Sequence, residues 1–359
     1  MDLEKRIELI TREPIEEVIT NEDLKSLLET KTTPRAYDGF EPSGLLHLAS
    51  GIMRVEKIND LLKAGVGFTL FIADWHGALN NKFNGDEKLI KNAGEYMIEG
   101  WKACGLDTKK VKLVWASDLV EEEGYWEGVM RFAMKTSLKR AIRTAPIMGR
   151  EESDDLLTSQ VLYPFMQAYD PFHMKIDILQ LGMDQRKVTI LSREMAKKMK
   201  LPKPVLLHHH LLAGLQGVDV GRMGQEDTES GADAKMSKSK PTSCIFIHDS
   251  TEEVQNKLKT AHCPPKVVEG NPILEMWRYI IFRKIKGYTI KRPAKFGGDL
   301  EIQDYDELEK LYSSGKLHPM DLKNATSEVM DKILAPVRKH FERGKAKELY
   351  EIVRKAKEI

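Results

Sequence analysis

Two short stretches carry residue types suited to handling a polyphosphate. In KMSKS, residues 235 to 239, Lys235 and Lys238 stand three apart with Met236, Ser237 and Ser239 around them. The stretch before it, 217–234, is rich in glycine and acid, lacks periodicity and reads as a mobile loop. The two ammonium groups could therefore swing onto a phosphate chain and offset the charge that builds up in a transition state. In GFEPSGLLHLASG, residues 39 to 51, Gly39, Pro42 and Gly44 read as a rigid turn. His47 then falls at a helix start, where unpaired amides and the helix dipole favour an anion. Alone, either stretch has an ordinary explanation, a solvated lysine loop or a capping histidine; together they point to nucleotide chemistry. A third pattern, LYPFMQAYD, sets Tyr163, Gln167 and Asp170 at i, i+4 and i+7. That is one helix face, able to offer a phenol, an amide and a carboxylate to a single ligand. An ordinary half-buried helix face would look the same. His208 and His210 of the HHH run share a strand face, which invites a metal. No acidic or cysteine partner lies at ligand spacing, so no metal site is expected.

These residues need elements to hold them. Ile52, Val55, Ile58, Leu61 and Leu62 recur at helical steps. GVGFTLFIAD (65–74), KVKLVWASD (110–118), KIDILQLGMDQRK (175–187) and KPVLLHHHLL (203–212) read as strands separated by helical patterns. That alternation predicts an α/β fold: a parallel sheet covered on both faces, with ligands beyond the carboxyl ends of its strands. The stretch 125–145 is helical in composition, with an apolar surface wider than one stripe; it reads either as a buried helix or as a subunit contact. Beyond about residue 248 the pattern is mostly helical, which places a boundary between two domains near there. A chain of 359 residues is long enough for two such units. Lysine and arginine number 56 against 55 acids, so no global basic field marks a nucleic-acid binder, and an RNA partner would need local footprints. Three scattered cysteines supply neither a disulfide framework nor a CxxC site, which fits a reducing cytoplasm. No run of apolar residues reaches membrane-span length and the first residues do not form a signal peptide, so a soluble protein away from membranes is expected.

The chain resembles the class I aminoacyl-tRNA synthetases, whose HIGH and KMSKS signatures appear here as HLAS (47–50) and KMSKS (235–239). More closely, AYDGFEPSGLLHL, ADWHGALN, LYPFMQAYD, GMDQRK and LHPMDLKNA resemble blocks of the archaeal and eukaryotic tyrosyl-tRNA synthetases, in that family's order from residue 36 to 325. The resemblance implies a Rossmann-type catalytic domain at 1–248, with a connective helical insertion at about 119–157 and the KMSKS loop at about 213–247, and an α-helical C-terminal anticodon-binding domain at 249–359. It implies activation of L-tyrosine with ATP and Mg2+, transfer to tRNA(Tyr), and a homodimer. By the same resemblance Tyr37 and Asp170 hold the substrate hydroxyl, and Tyr163, Gln167 and Gln185 hold its ammonium and carboxylate end. Gly39, Glu41, Ala73 and His76 line that pocket. His47, Ala49, Ser50, His208 and the residues from Lys235 to Ser239 attend ATP, with His47, Ser50, Lys235 and Lys238 in catalysis. Arg143, Arg186 and Lys187 would meet the acceptor end of the tRNA, and Phe296, His318, Asp321 and Lys323 the anticodon. A tryptophanyl enzyme shares the architecture, but this stripe with Tyr37 suits a phenol better than an indole. The signature's glycine and second histidine are replaced by Ala49 and Ser50. That departure keeps open a synthetase-like protein that binds structured RNA without charging it.

Overall fold

The computed structural model describes residues 1–149, 155–217, 235–236 and 240–356. The expected loop from 218 onward, with Ser237, Lys238 and Ser239, lies outside the described residues. Six strands form the main sheet: β1 (Ile15–Ile19), β2 (Arg35–Phe40), β3 (Gly67–Ile72), β4 (Val111–Trp115), β5 (Ile178–Gly182) and β6 (Val205–His209), in the order β1-β6-β5-β2-β3-β4. All neighbouring pairs are parallel except β1 with β6. The sheet is therefore mixed at one edge, where IEEVI, a strand the sequence pattern does not announce, runs back along β6. β3 stops at Ile72, and Asp74 opens a short helix. There its buried carboxylate accepts hydrogen bonds from Ser117 N at 2.9 Å and Ser117 Oγ at 2.7 Å.

Gly39 lies inside β2, paired with Phe71, and is no part of a turn. β2 has β3 on one side and β5 on the other, so the chain leaves its carboxyl end in one direction and β5 returns on the other. That is the topological switch point of an open α/β sheet, where a crevice forms. Both flanking faces are packed: Leu48, Ile58, Leu61, Leu70, Tyr96 and Trp101 are buried in one apolar cluster that continues into the C-terminal helices through Trp277, Leu308 and Val353, and Tyr37, Phe71, Phe165, Leu179 and Leu206 are buried in a second. From Thr251 the described chain is mostly helical and holds one antiparallel pair, β7 (Tyr288–Ile290) with β8 (Leu300–Ile302). The longest helix there, Pro319–His340, runs 22 residues.

The stretch 125–145 is two helices, Tyr125–Ala133 and Leu138–Ile142, the second capped by Ser137. One side of the first helix is buried through Tyr125, Val129 and Phe132. Trp126, Met130, Met134 and Leu138 are exposed, so burial in this chain accounts for only half of the apolar surface. No helix among the described residues is long and apolar enough to cross a membrane.

Candidate active site

The crevice at the switch point is a cleft of about 320 Å3. β2 contributes Tyr37, Asp38 and Gly39, followed by Glu41; the turn after β3 contributes Ala73 and His76; and the helix Thr158–His173 contributes Tyr163, Gln167 and Asp170. Asp184 and Gln185 come from the turn after β5. A side chain at Gly182 would place its Cβ 2.4 Å from Asp184 Oδ1, so glycine there lets the carboxylate fold back over the strand end.

One half of the cleft gathers around a buried carboxylate. Asp170 is fully buried; its Oδ1 accepts a hydrogen bond from Tyr125 Oη at 2.7 Å. Its Oδ2 lies 3.1 Å from His76 Nε2 but receives no hydrogen bond from the described residues. Burial and the charge of Asp170 hold the Tyr37 phenol well above its usual range, so it stays a neutral donor. Burial, reinforced by Glu41, does the same to Tyr163, whose hydroxyl donates to Glu41 Oε2 at 3.3 Å. The same Glu41 oxygen accepts from Asn80 Nδ2 at 3.0 Å. Gln167 Nε2 donates to Gln185 Oε1 at 3.0 Å and Gln185 Nε2 to the Ile147 carbonyl at 3.2 Å. Gln167 Oε1 is buried and receives no hydrogen bond from the described residues, which leaves it an open acceptor.

The other half is built around His47, Ala49 and Ser50. The chain turns into a π-helical segment, Ala49–Met53, and then the helix Arg54–Lys63, close to the boundaries expected from the apolar spacing. Ser50 Oγ accepts from His47 N at 3.1 Å and donates to the His47 carbonyl at 3.3 Å, which braces the helix start from within. The segment following the lysine motif packs directly on this start: Leu48 N donates to the Ile245 carbonyl at 3.0 Å and Ile247 N to the Leu46 carbonyl at 3.1 Å. Leu46 N donates to Tyr96 Oη at 3.1 Å, and that hydroxyl lies 2.8 Å from His248 Nε2. His248 stacks on Tyr350 of the last helix at 4.1 Å, and burial pushes its imidazole down to about 3. Lys235 enters the cleft and its Nζ donates to Asp184 Oδ2 at 2.5 Å.

Beneath lies a buried charge cluster absent from the sequence expectations: Arg54 pairs with Asp38 and contacts His209. Burial pushes Arg54 down to about 9, which leaves it charged near neutral pH. Burial and the Arg54 charge push His209 well below its usual range, so it is a neutral imidazole. His209 and His210 line the cleft, whereas His208, expected near the nucleotide, turns to Glu17 at 2.6 Å and Thr189 at 2.8 Å. Acidic partners do reach the histidines, but from β1 and the C-terminal helices, where spacing along the chain could not reveal them.

Residues 29–335 match the family model described as tRNA synthetases class I (W and Y). The chain is 46% identical over 343 residues to Tyrosine--tRNA ligase 1, cytoplasmic, of Arabidopsis thaliana, covering 95% of this chain and 85% of that protein. It is 44% identical over 360 residues to the Tyrosine--tRNA ligase of Thermococcus kodakarensis, covering 96% of each. The crystal structure of a tyrosyl-tRNA synthetase from Pyrococcus horikoshii, complexed with L-tyrosine, superposes with a TM-score of 0.91 at 40% identity, over 99% of this chain and all of that one. The chain belongs to the tyrosyl-tRNA synthetases. Membership of this family implies ATP use.

In this synthetase the residues expected to meet RNA lie outside the cleft lining. Arg143 is exposed at the end of the helix Leu138–Ile142. Arg186 is exposed and pairs with Glu17 at 2.9 Å, with half-buried Lys187 beside it. His318 caps the helix Pro319–His340, its Nδ1 accepting from Met320 N at 3.2 Å. Asp321, in the first turn, does not serve as the cap. Lys323 Nζ donates to the Lys259 carbonyl at 3.0 Å. Phe296 closes the short turn Ala294–Phe296; its side chain lies outside the described residues. Sequence reasoning missed Asp38, Arg54, Asp184, His209, His210 and the Tyr125 bond to Asp170. A signal existed for two of them: a charge within a buried strand (Asp38) and one on the apolar face of a helix (Arg54) demand partners.

Proposed function

We propose that this chain is a tyrosine–tRNA ligase that acts in two steps. The tyrosine carboxylate attacks the α-phosphate of ATP, the bond to the β-phosphate breaks, and pyrophosphate leaves with tyrosyl-adenylate bound. A hydroxyl of the tRNA's terminal adenosine then attacks the adenylate carbonyl and AMP leaves. The observation that carries the reading is Asp170: a buried carboxylate in the cleft, with one oxygen held by Tyr125 and the other receiving no hydrogen bond from the described residues. A phenol O–H from the substrate completes it. Tyr37 and His76 flank that position; Tyr163 with Glu41, and Gln167 with Gln185, orient the amino-acid end. No side chain acts as nucleophile. His47, the helix amides, Lys235 and, by the motif, Lys238 hold and neutralise the phosphates.

Mg2+ fits as an ion carried by the triphosphate, since hard cations take phosphate and water oxygens and no group of three metal-ligating side chains occurs among the described residues. It supplies charge neutralisation on the departing pyrophosphate. The exposed strip Trp126, Met130, Met134 and Leu138 supports a homodimer sealed at this face, testable by light scattering and by its loss in a Met130→Glu, Met134→Glu variant. We assign the domains as 1–248 for catalysis and 249–359 for the anticodon, the tRNA contacts as Arg143, Arg186, Lys187, Phe296, His318, Asp321 and Lys323, and a cytoplasmic location. Tyrosine-dependent ATP–pyrophosphate exchange, with tryptophan and phenylalanine in parallel, tests the reading. Exchange with tyrosine is expected; none with any amino acid would replace it with a non-charging RNA binder.

A further inference from the structure

We infer that Glu275, in the helix Pro272–Met276, is a positioning residue for Lys235 and so ties the C-terminal helices to the adenylate-forming step. This deepens the ligase reading and rests on it. Glu275 is not among the residues lining the cleft. Its Oε2 accepts a hydrogen bond from Ala213 N at 2.8 Å and lies 3.0 Å from His210 Nε2. The other nitrogen of His210 is 2.5 Å from Glu16 Oε1, and His210 N donates to the Pro14 carbonyl at 2.7 Å. The Tyr279 ring packs on the imidazole at 4.6 Å. The strip 210–213 is thus pinned from β1 on one side and from Glu275 on the other. Lys235 is laid on that strip. Ala213 and Lys235 form an antiparallel bridge, and Met236 N donates to the Leu212 carbonyl at 2.6 Å. From this register Lys235 Nζ reaches Asp184 inside the cleft.

A cation that stabilises developing charge acts only where it is placed; a misplacement of about 1 Å from a remote change can cost about a hundredfold. Removing the Glu275 carboxylate frees the Ala213 amide and one side of the strip, while the phenol pocket, on the opposite side of the cleft, keeps all of its contacts. The effect should therefore fall on the phosphate chemistry alone.

The test is a double-mutant cycle in tyrosine-dependent pyrophosphate exchange, with wild type as the control that separates failure of this inference from failure of the ligase reading. Glu275→Ala should lower kcat about tenfold and leave the KM for tyrosine unchanged. Glu275→Gln, whose carbonyl can still accept from Ala213 N, should recover most of that loss. In a Lys235→Ala background, Glu275→Ala should add less than about a twofold effect, because both act through one group. Glu275→Asp withdraws the oxygen from Ala213 while keeping the charge. It should behave like alanine, and it serves in its place if the alanine variant does not fold. Additive losses in the cycle, a matching rise in the KM for tyrosine, or equal damage from glutamine and alanine would each overturn the inference, provided wild type exchanges.

Discussion

Asparagine at position 170 isolates the charge of that carboxylate from its shape. Asp170 Oδ1 accepts from Tyr125 at 2.7 Å, and an amide oxygen preserves that bond, so the helix Thr158–His173 should stay seated. At the other position the asparagine NH2 can only donate, so the bound phenol exchanges its charge-assisted bond, worth about 1.5–3 kcal/mol, for a neutral one to its oxygen of about 0.5–1.5 kcal/mol, a cost to tyrosine of about 1–1.5 kcal/mol. Phenylalanine responds in the opposite direction. In the wild type it leaves a buried carboxylate oxygen desolvated without a donor, and the amide relieves about 1–2 kcal/mol of that penalty. The two effects add, so Asp170→Asn should narrow the preference for tyrosine by about 2–3.5 kcal/mol, roughly 1.5 to 2.5 orders of magnitude in the ratio of kcat/KM values. Pyrophosphate exchange with the two amino acids measured in parallel reads this ratio directly. A variant that melts like wild type yet keeps the ratio within about threefold would refute the assignment, and the phenol partner would have to be sought at Tyr37 or His76.

Because Ser50 Oγ is engaged with the backbone of His47, Ser50→Ala should lower stability by about 0.5–2 kcal/mol while changing exchange less than threefold, whereas His47→Ala should cost roughly ten- to a hundredfold in exchange; thermal melts and initial rates on both variants decide. The buried His248 resists protonation down to about 3 while its unfolded counterpart takes a proton near 6.5, so the unfolded state binds more protons in that window. Its contribution is complete above about pH 6.5 and declines as pH falls, by at most about 5 kcal/mol, seen as a flatter pH slope in urea melts of His248→Gln than of wild type. Asp321→Ala should leave exchange intact and lower tRNA charging by about 1–3 kcal/mol, if it reads a base; equal charging by variant and wild type would move the anticodon site elsewhere.

Where a residue's role follows from local periodicity, the sequence was enough. The apolar steps from Ile52 to Leu62 give the helix behind the phosphate site, and the i, i+4, i+7 stripe of Tyr163, Gln167 and Asp170 does face one cleft. Roles set by partners far along the chain were not readable. AYDGF carries an aspartate and a glycine, which argue for a turn; it is a central strand because Asp38 is matched by Arg54 on a neighbouring helix. IEEVI has two acids in five residues and reads as surface, yet those acids meet His208 and His210 and close the sheet edge. Strand alternation groups His208 with His210, but β6 ends at His209, so the period breaks where the cleft begins. Ser50 reads as a phosphate donor by position and is a helix brace by geometry, a distinction that only backbone direction makes.

The backbone ladder joining 46–48 to 245–247 also has a meaning in time. On the ribosome His47 emerges roughly 200 residues before Ile247, and at about 5–20 residues per second the interval is about 10–40 seconds. Through that interval Leu46 and Leu48, both buried in the finished protein, lack the strand that covers them. The lining residues from Tyr37 to Gln185 are all synthesised before Lys235 and Ile245, so the nascent chain passes through a stage in which the phosphate half of the cleft is still open. Capture of the apolar Leu45–Leu48 segment by a holdase is the hazard of that stage, and translational pausing ahead of residue 245 would lengthen it.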